Sequence, residues 1–163
     1  MAQCFEIRGF RAAGSVLAGL MLAALLMRPV LAGPLYPSAA SAPSDIDSAL
    51  KQAADSNKRV LVEFGANWCS DCKALEENFR KTENAALLSS GFILVHVNVG
   101  DSGIDHNIEL AQSYGIPLKK GVPALAVLEG DGSVVFSQKN GEFEDMRHVD
   151  PKSVNEFLTR WKK

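Results

Sequence analysis

Cys69 and Cys72 stand three residues apart, just past the apolar run 60–64 (Val-Leu-Val-Glu-Phe) and the turn 65–68 (Gly-Ala-Asn-Trp). If a helix opens at the first cysteine, residues three apart are neighbours on its surface. The two sulfurs then fall within disulfide reach. Cys69, in the opening turn, also feels the positive helix end and its unpaired N–H groups, which favour a thiolate. The chemistry this spacing points to is a reversible dithiol/disulfide exchange.

The competing chemistry is zinc. Tetrahedral zinc needs four ligands, yet the chain has no second C-x-x-C, and His96, His106 and His148 are scattered along it. His96 falls in an apolar strand and reads as a filler of core or surface. Residues 100–106 (Gly-Asp-Ser-Gly-Ile-Asp-His) carry acids but lack the spacing of a calcium loop, and read as a polar turn. No metal is expected.

The remaining cysteine is Cys4, ahead of an uncharged stretch at 12–27 that follows Arg8 and Arg11. With Val30-Leu31-Ala32 as a small-residue exit, residues 1–32 read as a secretory signal cut before Gly33. The alternative is an uncleaved anchor, although a run of about sixteen residues is shorter than the roughly 20 a spanning helix needs. Either way the folded part is expected to be exported, and a bacterial periplasm is the expected compartment. The exported part would hold only Cys69 and Cys72, whereas a small secreted domain stapled by disulfides carries several spaced pairs. A pair this tight closes almost no loop, so it barely constrains the unfolded chain. With 17 basic and 19 acidic side chains and no basic cluster, the chain also lacks the electrostatic footprint of a nucleic-acid binder.

The elements that must position the pair follow from periodicity. Residues 33–43, rich in Pro, Ala and Ser, read as an extended, mobile spacer, and the folded domain is expected over 44–163. Ser44 reads as the N-cap of a helix with Ile46, Leu50 and Ala53 on one face. The strand 60–64 and a cysteine helix over 69–80 follow, then a helical piece at 83–88 and a buried strand at 92–99. A short helix at 108–114 precedes strands at 124–128 and 134–137, joined by the hairpin signal Glu129-Gly130-Asp131-Gly132-Ser133. Asp150 and Pro151 read as N-cap and first position of a last helix, with Val154, Phe157, Leu158 and Trp161 on one face. Helix-separated strands imply parallel neighbours, and the closing hairpin adds an antiparallel edge.

This order, together with Phe64-Gly65-Ala66-Asn67-Trp68-Cys69-Ser70-Asp71-Cys72-Lys73 and Gly121-Val122-Pro123-Ala124, resembles the thioredoxin superfamily. Within it the chain is similar to exported reductase modules such as the C-terminal domain of the thiol:disulfide interchange protein DsbD. The resemblance spans about residues 46–161. It implies an α/β thioredoxin fold, a central mixed sheet flanked by helices. It also implies a cis peptide at Pro123 after Val122, beside the disulfide; Pro123 at a strand start equally fits an ordinary trans turn. The chain departs from cytosolic thioredoxin at Ser70-Asp71 in place of Gly-Pro, at Gly65 in place of Trp, and in a longer approach to Pro123 over 114–121.

The resemblance assigns Cys69 as nucleophile and Cys72 as the resolving thiol. Glu63 points toward the cysteines if its strand alternates, where it matches thioredoxin's buried acid and could accept the Cys72 proton. Its alternative is a strand-edge charge pairing with Lys58 or Lys73. Trp68, Val122 and Pro123 would form the substrate groove, and Ser70 and Asp71 would tune the redox pair. Negative charge at Asp71 opposes the helix dipole and disfavours the Cys69 thiolate, so a reductant is expected over an oxidant. The expected partners are disulfide-containing proteins and a membrane electron donor, with no nucleic acid and no small-molecule cofactor. An oxidase and a non-catalytic thioredoxin-like chaperone or adaptor are the alternatives.

Overall fold

The computed structural model describes residues 33–163; the expected signal segment and Cys4 lie outside the described residues. After a single 3-10 turn at Ala39–Ser41 come α1 (Ala42–Ser56), β1 (Arg59–Gly65), α2 (Ser70–Phe79), α3 (Thr82–Gly91) and β2 (Phe92–Asn98). Then follow α4 (Ile108–Ser113), a 3-10 turn at Leu118–Lys120, β3 (Ala124–Leu128), β4 (Val134–Ser137) and α5 (Pro151–Trp161). No helix among the described residues is long and apolar enough to cross a membrane.

The four strands form one mixed sheet in the order β2-β1-β3-β4. β1 pairs parallel with β2 and antiparallel with β3. The rule that helix-separated strands run parallel therefore holds for β2 and fails for β3. β3 enters the sheet from the opposite end, on the free side of β1, and β4 then closes the hairpin as an edge. β1 is buried from Val60 to Gly65 because it has a strand on each side and helices on both faces.

Alternation along β1 divides the core. Val60, Val62 and Phe64 face Ile46, Ala49 and Ala53 of α1. Leu61 faces Leu75 and Phe79 of α2 and Val154 and Leu158 of α5. Glu63 and Gly65 follow Leu61 on that second face. α5 starts as its sequence suggests, with the Asp150 carboxylate accepting the Lys152 N–H at 2.9 Å and Pro151 opening the helix.

The N-terminal segment differs from the expected mobile spacer. α1 begins at Ala42 rather than after Ser44, with Pro43 in its first turn, where its missing N–H costs no helix bond. Ahead of it Tyr36 is buried. Three asparagine side chains tie this stretch down. Asn67 brackets Tyr36, accepting its N–H at 3.1 Å and donating to its carbonyl at 2.8 Å. Asn98 and Asn107 donate to the carbonyls of Pro37 and Ala39 at 3.0 and 2.9 Å. Composition suggested a spacer because Pro, Ala and Ser lack apolar payload; one aromatic and three distant amides reverse that.

Candidate redox site

α2 starts where the strand-turn-helix pattern places it, and its N-cap is Cys69. Cys69 and Cys72 form a disulfide with Cα atoms 5.3 Å apart. The Cys72 N–H donates to Cys69 Sγ at 3.1 Å. That N–H is one of the helix-end donors without an intrahelical partner, and in the reduced protein it stabilises charge on Cys69. Cys69 is 5% exposed and Cys72 fully buried, so an incoming sulfur can meet only the first.

The Val122–Pro123 peptide is cis, as the resemblance implied. The Val122 carbonyl oxygen stands 3.6 Å from Cys69 Sγ. Trp68 is 43% exposed and is fixed by its indole N–H, which donates to the Gly100 carbonyl at 2.9 Å. A cleft of about 280 Å³ is lined by Trp68, Cys69, Ser70, Asp71, Ile104, Gly121 and Val122. Three sequence segments far apart in the chain, 68–71, 104 and 121–122, therefore meet around the one sulfur that can be reached.

Behind the disulfide lies a buried polar cluster. Glu63 is fully buried; its Oε1 accepts the Tyr36 hydroxyl at 2.6 Å. Its Oε2 lies 2.8 Å from His96 Nδ1, directly opposite in the parallel register. That contact is off the line of a well-directed hydrogen bond, so its attraction is electrostatic; neither atom has another hydrogen-bonding partner among the described residues. His96 Nε2 in turn lies 3.8 Å from Glu76 of α2. Burial pushes the His96 imidazolium down, but Glu63 and then Glu76 outweigh it and its pKa stands above the ordinary value. Burial and then Glu63 drive the Tyr36 phenol far above the usual range. The alternative of Glu63 as an edge charge paired with Lys58 or Lys73 is ruled out. Lys58 Nζ donates instead to the Ser89 carbonyl, and Lys73 is exposed.

Gly65 explains itself here. A Cβ on it would stand 2.9 Å from Cys72 Sγ and closer still to the Tyr36 hydroxyl. The position where cytosolic thioredoxin carries a tryptophan is left empty so that an aromatic from the N-terminal segment can fill it.

Asp71 is not a free charge. Its Oδ1 accepts both the Arg147 Nε–H at 3.0 Å and the Arg147 backbone N–H at 3.1 Å. Partial burial raises its pKa, and the Arg147 bonds outweigh that and hold it below the usual carboxylate value. Tyr36, His96 and Arg147 are the residues sequence reasoning missed. For His96 the signal existed, since strands 60–64 and 92–99 in parallel register place it beside Glu63. Tyr36 and Arg147 come from segments with no periodicity to read. Among the described residues, no three His, Cys, Asp or Glu side chains are grouped to hold a metal ion.

An α/β sheet with a C-x-x-C disulfide capping a helix and the carbonyl of the residue before a cis-proline beside it defines a thioredoxin-like domain. The thioredoxin-like family matches residues 41–130, and the chain belongs to it. A solved structure of a disulphide isomerase from Xylella fastidiosa is similar at 35% identity and a TM-score of 0.72, over 80% of this chain and 98% of that one. The DsbD C-terminal domain of Neisseria meningitidis shares the fold at 22% identity and a TM-score of 0.52, over 77% and 97%. A protein disulfide-isomerase of Ricinus communis is 36% identical over 101 residues, 62% of this chain. The chain spans only 18% of the length of that relative.

Proposed function

We propose that the protein is an exported thiol–disulfide oxidoreductase that reduces disulfides in partner proteins, acting in a periplasm on electrons from a membrane donor. The observation that carries this is the asymmetry of the pair: Cys69 caps a helix at a cleft while Cys72 is sealed from solvent. Cys69 attacks a partner disulfide, forming a mixed disulfide and releasing one partner thiolate. Cys72 then attacks Cys69 Sγ and releases the second, with Glu63 taking the Cys72 proton. Trp68, Val122 and Pro123 hold the partner chain, and Ser70 and Asp71 tune the pair.

The direction rests on charge. Carboxylates at Asp71 and Glu63 both disfavour added thiolate charge. Arg147 is paired with Asp71 and offsets part of its charge, so the direction leans mainly on Glu63. A less stabilised reduced form means a more reducing couple. The isomerase reading is the second one, favoured by the similarity to the Xylella protein over 98% of that chain.

Titrating the pair against glutathione and dithiothreitol tests direction; a potential near that of the oxidant DsbA overturns the reductant reading. Expressing Cys72→Ala in the native cell tests turnover and compartment together. Mixed disulfides through Cys69 with exported proteins support the reading. Partners held without such a bond favour the adaptor, and cytosolic partners overturn export.

A further inference from the structure

The Tyr36 hydroxyl has two neighbours that matter. It donates to Glu63 Oε1 at 2.6 Å, and it and Cys72 Sγ both crowd the one spot where a Gly65 Cβ would be, the sulfur 2.9 Å from that point. Tyr36, Glu63 and Cys72 are all buried. Asn67, two residues before Cys69, holds the Tyr36 backbone on both sides and so ties the phenol to the redox turn itself.

We propose that Tyr36 relays the proton between Cys72 and Glu63, an inference that rests on Glu63 being the acceptor. In the resolving step the Cys72 S–H proton passes to Tyr36 Oη as the Tyr36 O–H proton passes to Glu63 Oε1. Cys72 becomes a thiolate, Glu63 a carboxylic acid, and Tyr36 is again a neutral phenol. The Cys72 electron pair then forms the bond to Cys69 Sγ. The bond from Cys69 to the partner sulfur breaks, and its pair leaves as the partner's thiolate. The cysteine pair is oxidised and the partner disulfide reduced. The environment suits a relay better than a store of charge, because burial and Glu63 keep the phenol from ionising. His96 faces Glu63 from β2, Glu76 of α2 faces the other nitrogen of His96, and Arg80 lies beyond Glu76; they set the field in which Glu63 receives the proton.

Oxidised glutathione serves as the probe in single-turnover mixing, with the two steps read separately. The first attack is measured in a Cys72→Ala background, and resolution as release of the second glutathione with Cys72 present. Tyr36→Phe is expected to slow resolution at least about a hundredfold, the lower end for a lost proton-transfer group, and to leave the first attack far less affected. Equal slowing of both steps would mean that Tyr36 only shapes the site, and would overturn the relay. If Glu63→Gln slows resolution and Tyr36→Phe does not, the relay falls and the acceptor stands; if neither does, both fall. Should Tyr36→Phe not fold, a proton inventory on the native protein decides in its place. Resolution rates that curve with deuterium fraction fit two protons in flight, and a straight line overturns the relay.

Discussion

Arg147 reaches Asp71 through both its guanidinium Nε and its own backbone N–H, at 3.0 and 3.1 Å. The loop before α5 is thereby pinned over the first turn of the cysteine helix. The charge between the two cysteines is thus a pair, and its two halves act on Cys69 with opposite sign. Asp71→Asn removes the anion and frees Arg147, so the Cys69 thiolate fraction at neutral pH should rise. Arg147→Ala unmasks the anion, and it should fall. Each change is expected to be roughly two- to fivefold, the size of one charge at a helix end. Ultraviolet thiolate absorbance followed against pH measures both, and a shift in the same direction would refute the pairing.

His96 makes stability depend on pH. Its folded pKa is raised, because Glu63 and Glu76 outweigh burial and Arg80. A raised value stabilises the fold in full below about 6.5, the ordinary histidine value, and that contribution is lost as pH rises through the folded pKa. Urea midpoints of the native protein and His96→Asn should therefore differ most in mild acid and converge with rising pH. A gap that widens with pH would show that His96 is buried neutral.

The Asn67 side chain makes both of its bonds to Tyr36. Asn67→Ala should cost about 1–2 kcal/mol, the usual size for lost, partly buried hydrogen bonds. It should also expose residues 33–41 to limited proteolysis while the rest of the domain resists. Urea unfolding and mass mapping of the first cuts provide the measurement; unchanged resistance at that segment would count against the clamp.

Gly65→Ala forces a methyl onto the Tyr36 hydroxyl and Cys72 Sγ. Overpacking of this kind costs about 1–3 kcal/mol. Because the nearest atom is the hydroxyl oxygen, Tyr36→Phe should relieve part of the cost, and the double variant should be more stable than the sum of the singles predicts. Additive urea midpoints would place Tyr36 away from Gly65.

What local pattern could carry, the chain carried openly. The C-x-x-C pair, the buried strand before it and the helix after it are contiguous, and their periodicities need no distant partner. Asp150-Pro151 and residues 129–133 are read the same way, from capping and turn chemistry that acts over a few residues. Strand direction was less legible: β3 lies antiparallel to β1 because of which end of the sheet the chain re-enters, and no local residue type encodes that.

The site behind the disulfide belongs to the tertiary structure. Cys69 and Cys72 determined by themselves that thiol–disulfide chemistry was available, and Glu63 that a carboxylate could serve it. The companions of Glu63 came from elsewhere, Tyr36 from 27 positions earlier and His96 through the β1–β2 register. Asp71 met Arg147 from 76 positions away, which turned an isolated anion into half of a pair. Sequence spacing encodes neighbours along one strand or one helix turn. Burial and electrostatics depend on whatever the completed fold brings up from outside that range, and here they decide what the two sulfurs feel.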